Sequence, residues 1–362
     1  MDMEEKYQLI TRNAVEVIVS NELREALETG RELKGYIGIE PSGFFHIGWL
    51  IWSYKVDDMI RAGVKWRLLE ATWHALINDK LGGDIMKIRK AARLIRKVLW
   101  AIGVDIEKIE FVDAENLARD KEYWATVIRV AKSNSLARIK RALTIMGRKI
   151  EDAEIDSSKL IYPSMQVSDI FYMNLDIALG GMDQRKAHML ARDTALKLGY
   201  KKPISIHTPL LTGLQGLGRM DPSKVSEEEH AIEFKMSKSK PESSIFIHDQ
   251  PEDIRRKLKK AYCPPRQEAF NPVLEISRYV LFNRGDFNLV VERPEKYGGT
   301  VVYEGYDKLL KDYLEGKLHP ADLKKATAEA LIDLLTPIRV RLLSDKEAVR
   351  LINELSSVKI TR

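Results

Sequence analysis

Two short motifs contain side chains suited to phosphate chemistry. The first, PSGFFHIGW, places His46 between Gly43 and Gly48 at the start of a predicted helix. The second is KMSKS, residues 235–239, with two lysines and two serines. A helix N-terminus presents free N–H groups to an anion, and lysine ammonium groups with small hydroxyl donors suit a triphosphate. The pair, in this order along the chain, indicates a site for nucleotide phosphates.

Each motif also has a purely structural explanation. A histidine in an apolar run is often a core residue whose ring bonds to a neighbour. A pentapeptide of Lys and Ser is often solvated surface. These alternatives stay open when either motif is taken alone.

A second group of polar residues suits a small zwitterionic ligand. Tyr162, Gln166 and Asp169 in YPSMQVSD are spaced to lie on one face of a predicted helix. Further on, GGMDQRK opens another helix with Asp183 and Gln184, and its glycines let a ligand approach the backbone. Three polar groups in such a stripe suit a polar ligand or an aromatic phenol. The alternative is a polar outer helix face.

Alternating strands and helices must position these motifs. KGYIGIE, KWRLLEATWHAL, IEKIEFVDA, LDIALGG and KPISIHTPL read as strands, and helical patterns separate most of them. Residues 5–33 are predicted to form an N-terminal helix. This alternation predicts an α/β, Rossmann-like, doubly wound parallel sheet.

The remaining segments predict two additions to this sheet. Residues 114–161 read as a basic, mostly helical insertion. The polar loop before and through KMSKS is predicted to be exposed and mobile. From PEDIRRKLKKAY onward the pattern is mostly helical, with an irregular piece around FNLVVERPEKYGG. We therefore predict a catalytic domain over 1–245 and a helical C-terminal domain over 246–362.

Composition narrows the class of protein. Lys and Arg total 59 against 53 for Asp and Glu, a net charge of +6, which fits either solubility or a polyanionic partner. The single Cys263 excludes an intrachain disulfide and a cysteine-rich zinc site. The seven His residues show no metal-ligand spacing. With neither a signal peptide nor a membrane-length apolar run, we predict a cytoplasmic protein with no structural metal.

The motifs together resemble those of the class I aminoacyl-tRNA synthetases, which carry HIGH early and KMSKS late. YPSMQVSD, GGMDQRK, KMSKSK and LHPADLK narrow the resemblance to the tyrosyl-tRNA synthetases of archaeal and eukaryotic type. It covers about 33–342. It implies ATP-dependent activation of L-tyrosine to an adenylate, with Mg²⁺ accompanying the ATP, and transfer to tRNA(Tyr). It also implies a C-terminal domain that binds the anticodon.

The resemblance implies roles for individual residues. Tyr36 and Asp169 would bind the phenol hydroxyl of tyrosine, and three polar residues would hold its α-amino group: Tyr162, Gln166 and Gln184. Leu69 and His74 would line the ring pocket. His46, Lys235 and Lys238 would be catalytic. Contacts to ATP would come from Gly38, Glu40, Ser42, His46, Gly48, Asp183, Lys235, Met236, Ser237, Lys238 and Ser239.

Recognition of tRNA is implied at two places. Arg141, Arg185 and Lys186 would reach the acceptor end. In the C-terminal half, Tyr297 would stack on the first anticodon base, Asp322 would accept from a guanine edge, and His319 would shape that pocket. The family also implies a homodimer. Taken alone, HPADLKK is only a Pro-started helix N-terminus.

Three features depart from the family pattern. Trp49 stands where the second His of HIGH is expected. The family motif ADLH is here ATWH, so Thr72 stands where the family has Asp. The stretch before KMSKS is also longer than usual. The Trp49 difference leaves open how ATP is contacted on that side.

Three other readings compete with a tyrosine-specific ligase. A tryptophan-specific synthetase shares the fold, but indole offers only a donor, whereas the polar trio suits a phenol that donates and accepts. A small-molecule nucleotidylyltransferase would not need the basic insertion or LHPADLKK. A synthetase-like RNA-binding protein without catalysis would not need Lys235 and Lys238.

Overall fold

The chain divides into two units in the computed structural model, which describes residues 1–147, 156–218, 220–226 and 230–356. The first unit comprises Met1–Phe44, Trp52–Pro209 and the C-terminal end from Arg350. The second comprises Phe45–Ile51 and Leu210–Val349. The division into a catalytic and a C-terminal domain near residue 245 stays a prediction.

The first unit is built on a six-stranded sheet. Its strands are β1 Glu16–Ile18, β2 Lys34–Ile39, β3 Lys65–Glu70, β4 Ile109–Asp113, β5 Ile177–Gly181 and β6 Ile204–Thr208. The strand order is β1-β6-β5-β2-β3-β4, with β1 antiparallel to β6 and the other neighbours parallel. The predicted doubly wound α/β fold is confirmed.

The strand order reverses at β2. The chain adds β3 and β4 on one side of β2, then returns to place β5 on its other side. Tyr36 pairs with Arg67 of β3 and with Ala178 of β5. The carboxyl ends of strands at such a switch point form the usual ligand crevice of open α/β sheets. The residues after β2 and β5 therefore lie where a ligand is expected.

Ten helices precede residue 200 in the described part of the chain. They are α1 Met3–Thr11, α2 Ser20–Glu28, α3 Gly48–Arg61, α4 Thr72–Ile77, α5 Ile85–Ile102, α6 Ala114–Ala118, α7 Lys121–Lys132, α8 Leu136–Ala142, α9 Tyr162–Tyr172 and α10 Arg185–Leu198. Helices α6 to α8 belong to the predicted insertion. Residues 148–155, also predicted as part of it, lie outside the described residues.

The prediction of one helix over 5–33 is wrong. Helix α1 ends at Thr11, and Asn13 adopts a left-handed conformation at φ 56°. Residues Glu16–Ile18 then pair with His207–Ser205 as strand β1. The β-branched residues of this stretch favour a strand once a partner is available. Only tertiary pairing distinguishes this short strand from a helix turn.

The predicted strand KWRLLEATWHAL is also too long. Strand β3 ends at Glu70, and helix α4 begins at Thr72. The Thr72 hydroxyl donates to Asp113 Oδ1 over 2.6 Å, and Asp113 in turn caps α6. Thr72, one of the departures from the family pattern, thus joins α4 to the end of β4.

The second unit is mostly helical, as predicted for the C-terminal region. Its helices are α11 Pro251–Lys260, α12 Pro272–Ile276, α13 Tyr306–Leu314 and α14 Pro320–Ser344; α15, Lys346–Ser356, follows and extends beyond the unit. The piece predicted to be irregular contains an antiparallel hairpin of β7 Leu289–Val291 and β8 Val301–Tyr303. Part of the long loop before KMSKS, residues 219 and 227–229, lies outside the described residues.

Candidate active site

A carboxylate on α9 lies at the centre of one polar cluster in the first unit. Asp169 is 1% exposed, and its Oδ1 accepts a hydrogen bond of 2.8 Å from the hydroxyl of Tyr123 on α7. Its Oδ2 lies 3.1 Å from Nε2 of His74 on α4. Tyr36 of β2 is the fourth member of this Asp169 cluster. Three separate elements therefore place polar groups around one buried carboxylate.

The hydroxyl groups of the Asp169 cluster stay protonated. Burial raises the pKa of Tyr36 well above its usual range, and the negative charge of Asp169 raises it further. The same two causes raise the pKa of Tyr123. Each phenol is therefore a neutral O–H donor. A carboxylate is an acceptor with about four lone-pair sites, so it can serve several such donors at once.

Two predicted residues, Leu69 and Gly38, lie beside Tyr36. Leu69 of β3 is 1% exposed and packs in the same apolar cluster as Tyr36. A Cβ added to Gly38 would lie 3.6 Å from the Tyr36 ring and 3.8 Å from Leu69. Residues 36, 38 and 69 are thus neighbours on one part of the sheet.

Amide side chains from two elements meet beside α9. Gln166 Nε2 donates to Gln184 Oε1 over 3.0 Å, and Gln184 Nε2 donates to the Ile145 carbonyl over 3.2 Å. Within the described residues, Oε1 of Gln166 is a buried acceptor without a hydrogen-bond partner. An added Cβ on Gly180 would come within 2.8 Å of the Gln184 side chain. Gly180 therefore makes room for Gln184.

Tyr162 is directed to a carboxylate at the end of β2. Its hydroxyl donates to Glu40 Oε1 over 2.7 Å. Asn78 Nδ2 donates to both carboxylate oxygens of Glu40, at 3.0 and 3.1 Å. Burial raises the pKa of Tyr162 well above its usual range, and the negative charge of Glu40 raises it further. Glu40 thus connects the α9 residues to the strand that precedes the PSGFF turn, where Ser42 is half-buried.

The start of α10 is held by a network that sequence reasoning missed and that runs from the surface to two buried histidines. Arg185 Nε donates to both carboxylate oxygens of Glu16 on β1, at 2.9 and 3.0 Å. Glu16 Oε2 lies 2.8 Å from His207 Nδ1, and His207 Nε2 lies 3.0 Å from His188 Nδ1. This network fixes the segment that carries Asp183. Burial lowers the pKa of both histidines.

The basic residues predicted to meet tRNA in the first unit are accessible. Arg141 on α8, Arg185 and Lys186 are exposed. Arg185 is already paired with Glu16, so a ligand phosphate would have to share or replace that partner.

In the second unit, the glycine turn places His46 in a buried position. His46 is 7% exposed, and its Nδ1 has no hydrogen-bond partner among the described residues. An added Cβ on Gly48 would lie 3.0 Å from the His46 ring, so Gly48 makes room for that ring. Burial lowers the pKa of His46 well below its usual range, and the charges of Lys238 and Lys235 lower it further. The imidazole is neutral and has one N–H to donate.

Trp49 lies beside His46 and under a lysine of KMSKS. The Lys238 Nζ is 3.3 Å from the centroid of the Trp49 ring. The His46 and Trp49 ring centroids are 5.8 Å apart. We refer to His46, Trp49, Lys235 and Lys238 as the Lys238 cluster. It brings together residues of the PSGFFHIGW and KMSKS motifs.

Backbone contacts hold the KMSKS segment in the second unit. Met236 N–H donates to the Leu211 carbonyl over 2.6 Å, and Lys235 pairs with Thr212 as an isolated bridge. Ser244 Oγ donates to the Ser237 carbonyl over 2.7 Å, and the Ser237 and Ser239 hydroxyls are 3.0 Å apart. The segment was predicted to be mobile, but here it has a defined set of partners.

The predicted anticodon residues are arranged around a hairpin and a helix N-terminus. Tyr297 follows β7 and is 62% exposed. His319 caps α14, where its Nδ1 accepts from the Ala321 N–H over 3.1 Å, and Asp322 lies in the first turn. The structural reading of HPADLKK, a Pro-started helix N-terminus, is thus correct for the local geometry. An acidic first turn also complements the helix dipole.

Tyr123 is the main site residue that sequence reasoning missed. It lies in the predicted insertion, and a signal for it was present. Tyr123, Val127 and Val130 recur at i, i+4 and i+7 and form the buried face of α7. A hydroxyl on an otherwise apolar buried face requires a partner, which here is Asp169.

The described residues lack a membrane-spanning helix and a metal-binding cluster. None of their helices is both long and apolar enough to span a membrane. They also contain no group of three or more His, Cys, Asp or Glu side chains arranged to hold a metal ion.

With the sheet topology and both clusters established, comparison with known proteins defines the class. The family model described as tRNA synthetases class I (W and Y) matches residues 28–336. The chain belongs to this family.

Individual relatives carry a tyrosine-specific name. The tyrosine–tRNA ligase of Aeropyrum pernix is 59% identical over 362 residues, covering 100% of this chain and 99% of the relative. The crystal structure of the Aeropyrum pernix tyrosyl-tRNA synthetase matches with a TM-score of 0.87 and 55% identity, covering 98% of this chain and 99% of that one. The Pyrococcus horikoshii tyrosyl-tRNA synthetase, crystallised with L-tyrosine, matches with a TM-score of 0.90 and 44% identity, covering 98% of this chain and 100% of that one.

Proposed function

We propose that this chain activates L-tyrosine with ATP to tyrosyl-adenylate and pyrophosphate, then transfers the tyrosyl group to the 3′ end of tRNA(Tyr). It is an aminoacyl-tRNA ligase, and its family and its named relatives support tyrosine as the amino acid. The observation that carries the choice of tyrosine within this chain is the buried Asp169 carboxylate, which is surrounded by neutral O–H donors.

The Asp169 cluster is suited to a phenol. A substrate hydroxyl can donate to Asp169 while it accepts from the Tyr36 hydroxyl, so both polar functions of the phenol are paired. The aromatic ring would lie against Leu69 and His74. Phenylalanine would leave the carboxylate and the tyrosine hydroxyl without that partner in a buried site, which costs free energy. Indole could donate but could not accept in the same plane.

The amide cluster is suited to the α-amino group. The ammonium of a bound amino acid carries three donors, and Gln166 Oε1 is an acceptor with no partner among the described residues. The oxygens of Gln184 and Tyr162 supply further acceptors. Tyr162 donates its own proton to Glu40, so its lone pairs are available to an ammonium.

For ATP, we propose the contacts that the family pattern implies, residue by residue. In the first unit, Asp183 accepts from the ribose hydroxyls, and Gly38, Glu40 and Ser42 lie at or beyond the end of β2. In the second unit, the neutral His46 donates to a phosphate oxygen and Gly48 gives its ring space. The ammonium groups and hydroxyls of KMSKS, with the Met236 backbone between them, bind the phosphates.

Catalysis in this proposal depends on position and charge. The tyrosine carboxylate attacks the α-phosphorus in line with the departing pyrophosphate, and no covalent enzyme intermediate is needed. Lys235, Lys238 and His46 stabilise the negative charge that develops on the phosphate oxygens. Mg²⁺ enters with ATP as its complex.

The tRNA contacts, the assembly and the cellular location complete the proposal. Arg141, Arg185 and Lys186 contact the acceptor end, and Tyr297, His319 and Asp322 contact the anticodon. The residues up to 245 form the catalytic domain, and the rest binds the anticodon. We also propose a cytoplasmic homodimer.

Exchange of pyrophosphate into ATP tests the first step. Purified protein should catalyse exchange that depends on tyrosine. Exchange supported by tryptophan and not by tyrosine would show that Asp169 and Tyr36 have been assigned to the wrong ligand.

Replacement of Asp322 by Ala tests the anticodon assignment. It should weaken charging of tRNA and leave pyrophosphate exchange unchanged, because the contact is made only with tRNA. Equal losses in both assays would make Asp322 a structural residue of α14.

A further inference from the structure

The second unit holds a lysine of KMSKS against an aromatic face. Lys238 is 6% exposed, and its Nζ lies 3.3 Å from the centre of the Trp49 ring. An ammonium over the face of an indole is attracted by the ring quadrupole, and tryptophan gives the strongest attraction of the aromatic side chains. The attraction grows as water is removed from the pair, and here Lys238 is buried and Trp49 is half-buried.

The indole is itself fixed in place. The Phe45 ring meets Trp49 edge to face, with centroids 5.2 Å apart and planes at 82°. The backbone around it is paired: the Ile47 N–H donates to the Ile245 carbonyl over 2.9 Å, and the Ile247 N–H donates to the Phe45 carbonyl over 3.0 Å. Trp49 is therefore a rigid platform, and the position of the ring determines where the ammonium of Lys238 can lie.

An aromatic partner has a chemical advantage for a lysine that must bind phosphate. A carboxylate would neutralise the ammonium and compete with the phosphate oxygens. A ring face stabilises the charge of an ammonium without bringing a competing negative charge beside it. We propose that Trp49 is a positioning residue, which holds the Lys238 ammonium in place for the triphosphate through a cation–π contact. This rests on the proposed function, in which KMSKS binds the ATP phosphates.

The contact with Lys238 gives a physical reason for Trp49, the residue that departs from the family motif. A histidine at position 49 would offer a smaller, less electron-rich face, and if protonated it would repel Lys238. Tryptophan removes that repulsion. In this chain, position 49 acts on ATP through Lys238.

A double-mutant cycle tests the inference. Four forms are compared: the unaltered protein, Trp49→Leu, Lys238→Ala and the double variant. The rate constant of adenylate formation, the Kd of tyrosine and the Kd of ATP are measured for each. Trp49→Leu should lower the rate constant about tenfold, the kinetic equivalent of one buried cation–π contact. The Kd of tyrosine should not change. In the Lys238→Ala background, Trp49→Leu should have almost no further effect, because its partner is absent.

Two more variants distinguish the loss of the aromatic face at position 49 from the loss of a large side chain. Trp49→Phe keeps an aromatic face and should recover most of the loss, to within about threefold of the unaltered protein. Trp100→Leu, on the partly exposed face of α5, controls for the loss of a tryptophan elsewhere and should leave the rate unchanged. If circular dichroism shows that Trp49→Leu is unfolded, the cycle is run with Trp49→His, for which a smaller loss of the same kind is expected.

The outcomes distinguish the inference from the function on which it rests. Multiplicative losses in the cycle, or a Trp49→Phe variant as slow as Trp49→Leu, would overturn the role of Trp49 and leave the enzyme's identity intact. Absence of tyrosine-dependent exchange in the unaltered protein would overturn both.

Discussion

The Asp169 cluster and the Lys238 cluster meet opposite electrostatic requirements with the same kind of side chain. In the first, a buried negative charge accepts a hydrogen bond from the hydroxyl of Tyr123 and lies near the hydroxyl of Tyr36. In the second, a buried positive charge lies on the face of a tryptophan, which donates none to it. An aromatic residue thus serves an anion through its polar tip and a cation through its ring.

The difference matches what each cluster is proposed to do. Selection of a phenol needs directional partners, because a missing hydroxyl must leave a buried group unpaired. Stabilisation of phosphate charge needs positive groups that remain available to several oxygens. We therefore expect substitutions in the Asp169 cluster to change the choice of amino acid, and substitutions in the Lys238 cluster to change the rate without changing the choice.

Removal of the central carboxylate should have the largest effect. Asp169→Ala leaves the Tyr123 hydroxyl and the substrate phenol without their acceptor, so kcat/KM for tyrosine should fall about 10³-fold. Pyrophosphate exchange measures this loss. Asp120→Ala is a matched control, because Asp120 also accepts from a tyrosine hydroxyl, that of Tyr172, at a partly exposed place. A comparable loss in the control would mean that Asp169 acts through stability alone.

Loss of a KMSKS lysine should have the next largest effect. Lys238→Ala should lower the rate constant of adenylate formation about 10²-fold, since one charge that stabilises the transition state is removed. The Kd of tyrosine should be nearly unchanged. Lys240→Ala is the control: Lys240 is exposed and donates to the Glu233 carbonyl. A large loss of tyrosine binding in Lys238→Ala would contradict the separate roles proposed for the two clusters.

The anchor of the KMSKS segment contains an acid that should make stability depend on pH. Glu275 accepts from the Thr212 N–H over 2.6 Å and from its hydroxyl over 2.8 Å, and Thr212 pairs with Lys235. Burial raises the pKa of Glu275 to about 7, and nearby Glu268 also raises it. The folded state therefore holds this proton more tightly than the unfolded state. Its contribution is complete below the unfolded pKa, near 4.5, and is lost as pH rises towards 7.

Glu275→Gln should remove that dependence. Between pH 5 and pH 7.5 the free energy of unfolding of the unaltered protein should fall by about 2 kcal/mol relative to the variant. Urea unfolding at a series of pH values measures the difference. Parallel pH profiles would show that the Glu275 carboxyl titrates alike in the folded and unfolded states.

The smallest effect is expected from the residue that the sequence did not reveal. Tyr123→Phe removes one donor to Asp169 and keeps the ring, so KM for tyrosine should rise up to about tenfold with little change in kcat. Tyr172→Phe removes the hydroxyl that bonds to Asp120 and should leave KM unchanged. An unchanged KM in Tyr123→Phe would mean that Tyr36 and the substrate satisfy Asp169 without it.

The sequence predicted those parts of the fold that depend on local pattern. Helix α9 and the stripe of Tyr162, Gln166 and Asp169 follow from helical spacing, and the parallel sheet follows from the alternation of elements. Strand β1 could not be predicted, because three residues become a strand only by pairing with β6. Two contact partners were not predicted either, namely Tyr123 for Asp169 and Trp49 for Lys238. They come from positions 46 residues away on the insertion and 189 residues away along the chain, respectively.

Trp49 illustrates the same limit. As a departure from the HIGH motif, it was visible in the sequence, but its effect on ATP was not. The contact with Lys238 supplies a physical reason for an indole at this position.

The central claim is that a buried carboxylate and its hydroxyl partners select the phenol of tyrosine. The most direct test is the ratio of kcat/KM for tyrosine to that for phenylalanine in pyrophosphate exchange, in the unaltered protein and in Asp169→Ala. We predict a ratio above about 10³ in the unaltered protein, since phenylalanine leaves buried polar groups unpaired; the standard measured case, about 10⁵, is itself a tyrosyl-tRNA synthetase. In the variant the ratio should fall at least tenfold. An unchanged ratio in a folded Asp169→Ala variant would contradict the claim.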